Sequence, residues 1–285
     1  MTFAAPLQSD ARPVRREVAA ALEFRRAGSR TIVGRQLTPH PFHITRPFHL
    51  SDDPHGMATL YLQSSSGGLY GDDLLRLDVI AGAGTAAHLT TQASTVVHHA
   101  RGGSSSLVVT LELKTGALLE YMPDPTILFA GAALASRIEV QMAQDAVLML
   151  SDCALVHDPD GAGLPFDRFC ADIAISGPDG LPLLIERLDV AGRDWIRRTR
   201  ALPAHGLFLV AGVDQATALA DQIAAVLNGV DTDEVYAASA ALPEREIVLV
   251  RFLCANGALL TRTQHTIWHA ARTALTGLPP QPRRK

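Results

Sequence analysis

Two acidic residues stand where the surrounding sequence is apolar. Asp152 follows Ala146-Val147-Leu148-Met149-Leu150-Ser151 and precedes Cys153-Ala154-Leu155-Val156, so an extended chain there holds a carboxylate in a strand that is apolar on both faces. Glu186 repeats the anomaly. In Leu183-Leu184-Ile185-Glu186-Arg187-Leu188-Asp189-Val190 a two-residue period puts it on the face of Leu184, Leu188 and Val190. A buried carboxylate costs several kcal/mol unless it is paired, hydrated or protonated. One chemistry is a buried salt bridge, for Glu186 to Arg187, Arg193 or Arg197. The other is a polar, water-lined path through the core that accommodates a divalent cation. A third use, an acid/base pair in a β-stacked hydrolase, depends on a separation in space that sequence does not give.

Other reactive residues point to less. The loop Ser64-Ser65-Ser66-Gly67-Gly68-Leu69-Tyr70-Gly71-Asp72-Asp73 lacks the Lys and Ser/Thr of a phosphate loop and offers two carboxylates that repel phosphate. It reads as a tight turn using the glycines Gly67, Gly68 and Gly71, and no nucleotide is expected. Histidine is concentrated early, with His40, His43, His49, His55, His88, His98 and His99 among the 11 in the chain. Their spacing matches no zinc-protease helix, and consecutive His98 and His99 on a strand point to opposite faces. Each is read as structural or surface. No Gly-x-Ser-x-Gly elbow occurs, and Cys153, Cys170 and Cys254 carry no protease, disulfide or zinc spacing.

The elements that must position these acids are mostly strands. Leu75-Arg76-Leu77-Asp78-Val79, Leu107–Lys114 and Arg137–Met142 alternate apolar and polar residues, with Gly and Pro clusters between them. A turn residue followed by an apolar run recurs at Gly84, Gly116 and Asp145, in steps of 32 and 29 residues, which suggests stacked β units. Helical spacing occurs late. Ala216–Gly229 carries Leu219, Ile223, Val226 and Leu227 along one side, and Arg262–Leu275 carries Ile267, Ala271 and Leu275 before Gly277. The expected fold is a mostly β single domain over residues 21–276, between a flexible segment 1–20 and a flexible tail 277–285, with two helices in the C-terminal third.

Composition bounds the function. The 285 residues hold 25 Lys+Arg against 29 Asp+Glu, a net charge of −4. Such a mixed surface has no basic face for neutralising phosphates, so no nucleic-acid partner is expected. A hydrophobic fraction of 47% supplies an ample core. No apolar run reaches the ~18 residues that span a bilayer, and no signal-peptide core is evident, so a cytoplasmic protein without a membrane partner is expected.

Taken together, the motifs carry a family likeness. The run Leu22-Glu23-Phe24-Arg25-Arg26-Ala27-Gly28-Ser29-Arg30-Thr31, Arg46-Pro47-Phe48, Gly67-Gly68-Leu69-Tyr70-Gly71-Asp72-Asp73, Leu89-Thr90-Thr91-Gln92-Ala93-Ser94-Thr95 and Met122-Pro123-Asp124-Pro125-Thr126-Ile127-Leu128-Phe129 resembles, in order and spacing, the UreD (UreH) urease accessory proteins. The likeness continues through Glu186-Arg187-Leu188 and Val248–Phe252 to Ile267-Trp268.

The resemblance implies a cytoplasmic, non-enzymatic scaffold that binds the apo-urease structural subunits and, with UreF and the UreG GTPase, assists nickel insertion. It also implies strands stacked in a helical, β-helix-like manner and an internal tunnel for transient, weakly held nickel. Positions matching the family's tunnel residues are Asp73, Asp152 and Glu186, with Thr95 as a small hydroxyl along the wall. An adaptor with no metal path, or the hydrolase, is the alternative.

Some positions depart from the family pattern. Asp72 stands where a glycine is usual, so the turn either avoids positive φ there or tolerates strain. Val96, Val97 and His98 replace a Lys and an aromatic pair, Ser151 replaces a Trp, and the chain ends Pro282-Arg283-Arg284-Lys285.

Overall fold

The computed structural model describes residues 16–50, 53–229 and 233–281. The expectations for the first fifteen residues and for the final Pro-Arg-Arg-Lys lie outside them. β1 (Glu17–Ala27) begins inside the segment expected to be flexible, and β2 (Arg30–Leu37) returns antiparallel to it around Gly28, whose φ is 57°. β3 (Phe42–Ile44) pairs antiparallel with β4 (Ala58–Ser64).

From there the chain winds as a coil. β5 (Leu74–Ala81), β6 (Ala86–Thr91), β7 (Thr95–Val97), β8 (Ser105–Leu113), β9 (Leu118–Met122), β10 (Thr126–Leu128), β11 (Ala133–Met142), β12 (Val147–Val156) and β13 (Arg168–Ser176) pass back and forth between two sheets. Each strand lies parallel to its counterpart one coil earlier. β5, β8, β11 and β13 are neighbours in the first sheet, and β4, β6, β9 and β12 in the second. Antiparallel strands finish both sheets. β14 (Pro182–Ala191) closes the first, and β15 (Ala204–Ala211), β16 (Val235–Leu242) and β17 (Ile247–Cys254) extend the second. The expected β-helix-like stacking is therefore present.

The repeat at Gly84, Gly116 and Asp145 is structural. Ala86 pairs with Leu118 and Leu118 with Val147, so the three segments stack in register. Their turn residues share one left-handed conformation, with φ of 64°, 65° and 58°. Glycine adopts it freely and Asp at some cost. Asp145→Gly should therefore raise stability by up to about 1 kcal/mol, measured by urea denaturation. A destabilised variant would show that the Asp145 side chain, and not the backbone, holds this turn.

The alternating patterns read in the sequence sit as expected. Leu77 and Val79, then Val109, Leu111 and Leu113, then Ile138, Val140 and Met142 are buried between the sheets with Leu60, Leu150 and Leu209. A second core lies on the outer face of the second sheet. There Met149, Phe208 and Val250 meet the helices α2 (Ala216–Leu227) and α3 (Gly257–Thr276). β12, β15 and β17 are thus covered on both faces, which is why their sequences are apolar throughout.

The helices differ from expectation in detail. On α2, Leu219, Ile223 and Leu227 are buried, but Val226 is 40% exposed because it falls off that row. α3 starts five residues before Arg262, where the Asn256 side chain caps it by accepting from the Leu259 N–H at 2.9 Å. It stops at Gly277, in the left-handed conformation. A third helix, α1 (Gly192–Arg198), is too short to leave a period in the sequence and is held by buried Trp195. Among the described residues no helix is long and apolar enough to cross a membrane.

Candidate functional site

The site begins as a pair of aligned strand breaks. β6 stops at Thr91 and β7 resumes at Thr95; one coil later β9 stops at Met122 and β10 resumes at Thr126. The second gap holds Pro123 and Pro125, which have no N–H to give a ladder. The two gaps are tied together, since the Thr91 hydroxyl accepts from the Asp124 N–H at 2.8 Å and the Thr90 hydroxyl donates to the Met122 carbonyl at 2.7 Å. β12 runs unbroken past both. Its first part pairs with β9 up to Leu150 and its last part with β10 from Ala154, so Asp152 lies across the gap.

A cavity of about 460 Å³ fills the space behind these breaks. Its wall from the first sheet is mostly apolar, with Leu77, Val109 and Ile138 beside Ser136, while Gln63, Thr95 and Asp152 border it from the second. A smaller cavity of about 20 Å³, roomy enough for about one water, is bordered by Asp152, Glu186 and His205. Asp152 is common to both. The sequence-predicted Thr95, Asp152 and Glu186 are thus strung along two adjoining spaces.

Burial pushes the Asp152 carboxyl up to about 6. Burial, and then the Asp152 charge, pushes the Tyr121 phenol well up as well. The neighbouring Cys153 thiol is raised by the same two causes in the same order, so it is a neutral thiol and not a soft anionic ligand.

Glu186 takes the inward face that its period predicts, opposite Ile173. Its partner is Arg251 of β17, across the gap between the sheets, at 2.6 Å and 3.3 Å. None of Arg187, Arg193 and Arg197 fills that role; Arg187 pairs with Asp172 at 2.8 Å instead. The Arg251 side chain is 56% exposed against 21% for Glu186, so this pair sits where the inner space meets the surface.

Asp73 is placed differently. It accepts both ends of the Arg16 guanidinium and the Tyr70 N–H at 2.9 Å, and it borders neither of the two cavities. The glycine turn before it packs on the coil above. A Cβ on Gly68 would lie 2.2 Å from the Val96 carbonyl oxygen, and Leu69 N–H donates to that oxygen at 2.8 Å. Gly71 has φ of 31°, while Asp72 stays out of the left-handed region, so the turn avoids strain at that departure. Ser151, another departure, accepts a hydrogen bond from Gln264 of α3 at 2.6 Å.

His88, His98 and His99 sit in structural contacts away from the two cavities. His88 is buried, bonds Glu120 at 2.7 Å and stacks on Trp268. His98 stacks on Tyr70 while His99 receives the Arg101 N–H, so the adjacent pair does diverge. Among the described residues, no three His, Cys, Asp or Glu side chains converge closely enough to hold a metal ion.

The model of the UreD urease accessory protein family matches residues 17–285. The chain belongs to the UreD family. Curated relatives agree: it is 36% identical to urease accessory protein UreD 1 of Methylorubrum extorquens (strain PA1), across 99% of this chain and 96% of that protein. It is 38% identical to UreD 1 of Pseudomonas syringae pv. tomato, across 96% and 97%. For UreD 3 of Bradyrhizobium sp. (strain ORS 278) the identity is 36%, across 98% and 99%. The UreD motifs of the sequence are thus the breaks and turns that shape the cavity: Thr90-Thr91-Gln92-Ala93-Ser94-Thr95 and Met122-Pro123-Asp124-Pro125-Thr126 are its two aligned gaps. His205 and Arg251, which complete the polar end, carry the same signal as Asp152, a lone polar residue in an apolar strand, and were not singled out from sequence.

Proposed function

We propose that this chain is a non-catalytic, cytoplasmic scaffold that binds apo-urease and, together with UreF and UreG, assists nickel insertion, with the ion as cargo that crosses the chain through the two adjoining cavities. The observation that carries the reading is Asp152, a carboxylate kept at the junction of both spaces with no cation beside it in the hydrogen-bond and ion-pair network described. Thr95 lies on the wide side and Glu186 on the narrow side. Hard oxygen donors met one or two at a time hold a borderline divalent ion loosely, and conduction needs sites that an ion both enters and leaves.

A hydrolytic use of Asp152 and Glu186 is disfavoured by volume, since the space they share admits about one water and no substrate. The test is co-expression of urease structural genes and the other accessory genes with and without this chain. Urease from cells lacking it should be nickel-poor and inactive, and tagged chain should co-purify urease subunits and UreF. Fully nickel-loaded urease in its absence would overturn the reading.

A further inference from the structure

The geometry points to His205 as a nitrogen donor on the cation route, placed between Asp152 and Glu186 to favour first-row transition ions over magnesium and calcium. It rests on the path proposed for those two carboxylates and adds a ligand to it. The argument starts from register. Asp152 of β12 is paired with Leu207 of β15, and Leu207 with Arg251 of β17, so one row across the second sheet reads Asp152, Leu207, Arg251. His205 is two residues from Leu207 and therefore on the same face, diagonal to both Asp152 and Arg251. That face is the inner one, since Leu207 and Leu209 lie in the core between the sheets. Glu186 approaches the same space from the opposite sheet, and Asp152, Glu186 and His205 all border the small cavity.

The ring is positioned by packing. Trp195 meets it edge-on at 6.4 Å, and Ala154 and Ala171, small residues on facing strands, leave the space into which it looks. A neutral imidazole keeps a lone pair on one ring nitrogen, the donor that a metal ion takes. An imidazole suits nickel, copper and zinc, whereas the flanking carboxylates alone also suit magnesium and calcium. Because the three side chains do not converge on one point, they meet the ion in turn: carboxylate, imidazole, carboxylate. At the last step the ion competes with Arg251 for Glu186.

The test uses the full chain labelled with ¹⁵N at histidine, the His205 signals being assigned by their loss in His205→Gln. Adding Ni²⁺ should broaden the His205 ring signals beyond detection, and Mg²⁺ should leave them unchanged. By calorimetry, His205→Gln should weaken the Ni²⁺ step that Asp152→Asn also weakens by about tenfold, the low end of what even supporting groups contribute at metal sites, with no change for Mg²⁺. If Ni²⁺ affects only surface histidines, or if Asp152→Asn weakens binding and His205→Gln does not, the assignment of His205 fails while the carboxylate path survives. If neither substitution alters binding, the path fails with it.

Discussion

Arg272→Met should cost about 3–5 kcal/mol of folding stability. The Arg272 side chain is 2% exposed and bridges two equally buried acids, Glu120 and Asp53. It gives Nε and Nη2 to Glu120 at 2.7 and 2.6 Å and Nη1 to Asp53 at 2.7 Å, and lies over the Trp268 ring. Glu120 also holds His88. Removing the guanidinium leaves two carboxylates in the core, Glu120 with only the His88 imidazole and Asp53 with only a long contact from the Thr59 hydroxyl at 3.4 Å among the described partners. Arg272→Lys should fall between, because a point charge cannot reproduce the fork.

Acid offers a second check on the same network. Burial pushes Glu120 up, but hydrogen bonds from His88 and Arg272 outweigh it and bring the group to about 2, below its ordinary 4.5. A group depressed in this way contributes stability that is complete above about 4.5 and is lost as the pH falls toward 2. The Arg272→Met penalty should therefore shrink over that window. A loss under about 1 kcal/mol at pH 7, as for an exposed ion pair, would show that the network adds no more than a surface bridge.

Asp152→Asn should make the fold more stable and the protein worse at its work. The native carboxyl is raised to about 6 from 3.8 by burial, so between those values the folded chain holds a proton that the unfolded chain has released. Stability then falls as the pH rises from about 4 to about 6, and the penalty persists above that. Each unit is worth about 1.4 kcal/mol; water in the adjoining cavity relieves part of the total, leaving a gain of about 1–2 kcal/mol for the amide at pH 8 and none at pH 4. In co-expression the same variant should still pull down urease and UreF, yet yield urease severalfold poorer in nickel. Equal nickel content and activity would remove Asp152 from the route; a destabilised variant would remove the argument that the acid is kept against the interest of the fold.

Local sequence carried some of this and concealed the rest. The coil was legible because Gly84, Gly116 and Asp145 each begin a stacked strand in one left-handed turn, a feature that repeats in the chain itself. Asp152 was legible because a lone carboxylate in an apolar strand must be paired, hydrated or protonated. Its setting was not, since the cavity arises where two breaks in different coils line up, and nothing in either segment states that alignment. Arg251 lies 65 residues from Glu186 and across the sheets, whereas the nearby Arg187 was the natural local choice. Arg272 was hidden by its own helix. A stripe of Ile267, Ala271 and Leu275 describes α3 as a simple amphipathic element and leaves the adjacent Arg on the side assumed to face water, when that side in fact rests on Glu120.

The clamp on the last helix also bears on how the chain is made. Arg272 is 219 residues beyond Asp53 and 152 beyond Glu120. While a ribosome is still adding α3, the coils that bury those acids exist without their counter-charge, and long-range closure of this kind is slow. The growing chain therefore reaches its final state only when its C-terminal helix emerges and docks. A product cut short before Gly257 would carry every cavity-lining strand, both strand breaks and Asp152, and still lack the part that makes their burial tolerable.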